Sequence, residues 1–164
     1  MAMKPKEVVE IIPPKDIFVG NPDAAVTLME FGEYESEDCA KANEVVKKLL
    51  EEFDGKIRFQ FRHFPLTLIH QRSLKASESA VAAAQEGKFW EMHDILFETQ
   101  RSWTVKKQND LYFYNFAKNS GLDMVQFEQD FESEETRERI ERDKTEGFIV
   151  GVEGTPSFFS IQKK

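Results

Sequence analysis

The chain has 164 residues, 40 % of them hydrophobic and 15 of them Phe, which is enough for one domain around a single core. Its 30 acidic residues against 22 basic give a formal charge of −8, which would repel a phosphate backbone and argues against nucleic acid as a partner. The longest apolar runs fall far short of the roughly 18 residues a membrane span needs, so no membrane partner is expected.

The N-terminus, "MAMKPKEVVEIIPPKD", breaks its short apolar run with Glu10 and then Pro13-Pro14. It is not the apolar stretch of a secretory signal. Cytoplasmic placement is the expectation, although a signal removed beforehand would leave the same sequence. Within it, "EVVEII" (7–12) carries the β-branched residues of a strand.

After the turn "GNPD", the nearly continuous apolar run "AAVTLMEF" (24–31) predicts a strand buried on both faces, the central strand of a sheet. From Glu37 to Phe53, apolar residues recur at three- and four-residue steps until "DG" stops the pattern, which predicts an amphipathic helix. "KIRFQFRHF" then alternates Ile57, Phe59 and Phe61 with Arg58, Gln60 and Arg62, the period of a strand with one wetter face, and an edge position is expected. Strand, helix, strand with so long a crossover implies a parallel pair.

A helix-rich block of about eighty residues follows. Helices are predicted over Ser73–Gln85, Lys88–Gln100 and Leu111–Asn119, then a short one in "LDMVQFEQDF" and a highly charged one capped by Ser133. "VEGTPSFFSI" closes the pattern with a Gly-Thr-Pro turn and a strand-like run at 157–161.

The chemistry concentrates at "FGEYESEDCAK" (31–41), which places the single cysteine, Cys39, three residues after Ser36 at a strand-to-helix junction. One cysteine cannot form an internal disulfide. Ser36 followed by Glu37 and Asp38 reads as a helix N-cap, and Cys39 reads as a buried, inert sulfur whose acidic neighbours disfavour a thiolate. The histidines His63, His70 and His93 fall on a strand, a loop and a helix, without metal-ligand spacing, so no metal and no cofactor is expected.

The order β-α-β, helical block, Thr-Pro strand resembles the thioredoxin fold with the helical insertion of DsbA-like thiol–disulfide oxidoreductases. The carriers are "VGNPDAAVTLMEF", "FRHFPL", "GKFWEMHDILFETQ", "GLD" and "GVEGTPSFF". The resemblance implies an α/β fold with a core at 16–66 and 148–164, an insertion at 67–147, and a last strand and helix missing. It places Ser36 at the first, nucleophilic cysteine, Cys39 at the resolving cysteine, and Pro156 at the cis-proline that exposes the Thr155 backbone to an extended peptide or a small thiol.

Thiol–disulfide exchange needs a thiolate to attack a disulfide and a second thiol to resolve the mixed disulfide, and a serine hydroxyl does neither. The favoured expectation is a redox-degenerate binding domain. Three alternatives stay open: a single-thiol enzyme using Cys39, a hydroxyl-based enzyme like the kappa-class glutathione transferases using Ser36, or an active oxidoreductase whose natural first cysteine has been replaced by Ser36. The 157–161 strand, apolar and free of charge or proline, is expected as an open edge through which the chain could form a homodimer.

Overall fold

The computed structural model describes residues 18–105 and 110–163. Their elements run β1 (Phe18–Gly20), β2 (Val26–Gly32), α1 (Glu37–Glu52), β3 (Ile57–His63), α2 (Ser73–Gln85), α3 (Phe89–Glu98), α4 (Gln100–Trp103), α5 (Leu111–Asn119), α6 (Met124–Phe131), α7 (Glu134–Ile149) and β4 (Ser157–Gln162). The "EVVEII" stretch lies outside the described residues.

The four strands form one sheet in the order β1-β3-β2-β4. β2 and β3 are parallel from Val26↔Ile57 to Gly32↔His63, joined through α1, while β4 runs antiparallel to β2 and β1 antiparallel to β3. Successive side chains of a strand face opposite ways, so β2 feeds two cores. One, with Tyr34, Cys39, Phe59, Phe61, Phe89 and Met92, lies under α1 and the helices after β3. The other, with Met29, Phe31, Phe64 and Val152, lies under the end of α7.

The edge position expected for β3 is wrong. β3 lies inside the sheet, because β1 pairs along its outer side from Phe18↔Gln60 to Gly20↔Arg58. Its polar residues, which suggested a wet face, are buried as well: Gln60 is 3 % and Arg62 3 % exposed. Arg62 is tolerated there because α7 brings acids to it, Asp143 at 3.0 Å and Glu146 at 3.4 Å. Asp143 also accepts the His63 backbone N–H at 3.1 Å, tying α7 to the end of β3. A glycine sets how near α7 comes: a Cβ on Gly147 would lie 2.7 Å from the Phe64 ring and 3.1 Å from Phe31. The charged surface of α7 thus hides one buried arginine paired with two acids, and one close contact.

Removing one partner of a buried pair leaves an uncompensated charge, which costs about 3–5 kcal/mol. Asp143→Ala is therefore expected to lower stability by about that amount in urea unfolding, and a loss under about 1 kcal/mol would show that Glu146 alone compensates Arg62.

Candidate functional site

β2 ends at Gly32 and α1 begins after Ser36, so residues 33–36 carry the chain from the sheet into the helix. Ser36 is extended (φ −76°, ψ 123°), and its hydroxyl accepts the Cys39 N–H at 3.2 Å. This is a helix N-cap in the expected place. Glu37 and Asp38 occupy the first turn, where acids complement the helix dipole.

Cys39 sits one turn into α1 and is fully buried. Burial pushes its thiol up to about 11, opposed by hydrogen bonding from Ser36, the Glu33 backbone and Thr155. The crowd of acids read from the sequence contributes little of this. Glu30 alone adds to the rise, and only after burial.

The Gly154-Thr155-Pro156 turn faces the helix start. The Thr155–Pro156 bond is cis. The Thr155 hydroxyl favours the Cys39 thiolate but makes no well-formed hydrogen bond, and Thr155 makes no backbone hydrogen bond to any described residue. The structure therefore brings Ser36, Cys39 and Thr155 together, with Pro156 next in the chain.

Behind them lies a residue that the sequence showed only as one of the acids near Cys39. Glu30, in the middle of β2, is 1 % exposed, its Oε1 has no hydrogen-bond partner, and burial pushes its pKa up to about 8. At neutral pH it is mostly a neutral carboxylic acid. The histidines divide by burial. His93 sits between the Tyr34 hydroxyl (2.9 Å) and the Asn43 amide (3.2 Å). Burial, with Arg139 and Arg62 nearby, holds His63 neutral at about 3. His70 is bound to the buried Glu33 carboxylate, which also accepts the Ser73 hydroxyl. Among the described residues no group of three or more His, Cys, Asp and Glu could hold a metal ion, and no helix is long and apolar enough to cross a membrane.

The profile of a family described as Thioredoxin matches residues 13–164. The chain belongs to that thioredoxin family. A thioredoxin-like oxidoreductase from Silicibacter pomeroyi shares 29 % identity and a TM-score of 0.73, over 87 % of this chain and 78 % of that one. Alpha-DsbA1 of Wolbachia pipientis superposes with a TM-score of 0.79 at 24 % identity, over 92 % of this chain and 76 % of that one. The fold is therefore a DsbA-type thioredoxin fold, with a four-stranded mixed sheet and, among the described residues, seven helices. A relative from Salinispora arenicola named Na(+)/H(+) antiporter NhaA 1 is 36 % identical over 92 % of this chain. The chain spans about a fifth of the length of the curated relatives it matches, 22 % in that case.

Within this thioredoxin fold Glu30 was legible only as a lone acid in an apolar run, "TLMEF", where a carboxyl must either pair or stay protonated. The unfolded chain releases the Glu30 proton near 4.5, whereas the folded chain keeps it until about 8. Between those values the native state binds more protons, so stability falls as pH rises through that window. Glu30→Gln cannot ionise, and its denaturation midpoint should lose that part of the decline between pH 5 and pH 9. An equal slope in both proteins would place the titration elsewhere.

Proposed function

We propose that this chain is a DsbA-like thioredoxin-fold domain whose Ser36-x-x-Cys39 site does not exchange disulfides and whose groove, between the start of α1 and the Thr155-Pro156 turn, binds an extended peptide. The observation that carries the first part is the cap: the Ser36 hydroxyl accepts the Cys39 N–H, and Cys39 is the only sulfur of any cysteine in the chain. Attack and resolution both need sulfur, and a thiol buried with a pKa near 11 is almost wholly protonated at neutral pH. The same burial weighs against a single-thiol enzyme built on Cys39. A hydroxyl enzyme at Ser36 would need a base beside its oxygen, whereas the interaction seen there is with a backbone N–H.

The second part rests on Thr155. Its backbone N–H and C=O make no bond to described residues, and an extended peptide pairs with such groups as an added strand, with side-chain pockets giving selectivity. The relatives named as Na(+)/H(+) antiporters carry a matching stretch within much longer chains, which supports a binding module over a free-standing catalyst.

Ser36→Cys tests the reading directly, since it supplies the missing thiol at a helix start, where thiol pKa values fall. The natural chain should reduce insulin with dithiothreitol no faster than dithiothreitol alone, and the variant should raise the rate at least about tenfold, the effect of one unit of thiol pKa. Insulin reduction by the natural chain itself would overturn the proposal.

A further inference from the structure

The segment that enters α1 is held from outside the sheet. Each residue from Glu33 to Ser36 is bonded to a residue lying between β3 and β4: Glu33 to His70 and Ser73, the Tyr34 hydroxyl to His93, and the Glu35 carboxylate to the Arg72 backbone N–H at 2.9 Å. The last contact is of another kind. One side-chain amide, that of Gln100 at the start of α4, donates to the carbonyls of both Tyr34 and Ser36 at 2.8 Å each. Two carbonyl acceptors can be met only by the nitrogen end of the amide, so both of its N–H bonds are engaged. Gln100 is 6 % exposed, and the bonds are made out of water.

The Ser36 carbonyl has a second partner, the Ala40 N–H at 3.1 Å. The oxygen that closes the first turn of α1 is therefore also the one Gln100 holds. We propose, building on the reading of the S-x-x-C site above, that Gln100 is a positioning residue for position 36. Its amide bonds go to neither the Ser36 hydroxyl nor the Cys39 sulfur. It acts through the backbone, keeping Ser36 in the extended geometry that aims its side chain at the free N–H groups of α1, and it offsets the negative ends of two carbonyls beside that side chain. Without it the Tyr34 carbonyl loses the Gln100 donor and the Ser36 carbonyl keeps only the Ala40 N–H, so the turn is freer to rotate toward water.

The experiment uses the full chain carrying Ser36→Cys, alone and combined with Gln100→Ala, Gln100→Met or Ser73→Ala. The probe is iodoacetamide, the readout is the pH profile of alkylation at position 36 by mass spectrometry, and thermal unfolding is followed in parallel. Gln100→Met keeps the volume and removes both donors, so it carries the test if the alanine variant does not fold. Ser73→Ala cuts a bond to the same segment three residues upstream and controls for simple loosening. Loss of Gln100 is expected to raise the midpoint by about one pH unit, a tenfold drop in thiolate below it, while Ser73→Ala lowers stability and leaves the midpoint in place. A midpoint unmoved by either Gln100 substitution, or moved equally by Ser73→Ala, would overturn the proposal. Alkylation needs no disulfide substrate, so failure of the peptide-binding reading would leave this result standing, and the reverse.

Discussion

The bond from the Cys39 N–H to the Ser36 hydroxyl sets what the rest of the site can do. It caps α1 at the end of the central strand, and α1 is the crossover that lets β2 and β3 run parallel. The residue that starts this helix is therefore fixed in place by the fold, whatever its chemistry. With sulfur there, the helix start would stabilise an anion. With oxygen there, the same donors stabilise the helix, and the chain's one thiol lies a turn deeper in a core rich in aromatic rings. Geometry that would serve exchange in a two-thiol site here caps a helix.

Around that bond the polar groups are arranged for order. Glu33 is fully buried and bound by His70 and Ser73, and Tyr34 reaches His93. On the opposite face Arg62 meets Asp143 and Glu146. Buried polar groups of this kind are costly when half satisfied and rigid when fully satisfied. Glu30 is not satisfied in this way: its Oε1 is left without a hydrogen-bond partner, and the structure accommodates it by keeping it mostly protonated at neutral pH.

Much of this architecture was legible in the amino-acid sequence because local signals agreed with one another. The apolar run at 24–31, the periodicity of 37–53 and the Ser133 cap each matched an element of the structure, and Ser36 followed by two acids identified the start of α1. What misled was polarity taken as exposure. Arg62 and Gln60 alternate with phenylalanines as a solvated face would, but both are buried, and α7 meets Arg62 with an acid from about eighty residues away. The three-residue β1, which makes β3 an inner strand, is too short to give a periodic signal. Gln100 and His70 were unreadable for a related reason: nothing in "FETQ" or "LIHQ" announces a partner in a segment that only the folded chain brings alongside.

We propose that a surface for an extended chain persists at a site without exchange chemistry. Amide chemical shifts of the natural chain, titrated with carboxymethylated insulin B chain as an unstructured peptide that cannot form disulfides, address it most directly. The account predicts saturable shifts confined to residues 34–39 and 154–158, where Thr155 offers its backbone. Shifts scattered over α7 and α5, or none at that site up to millimolar peptide, would contradict it.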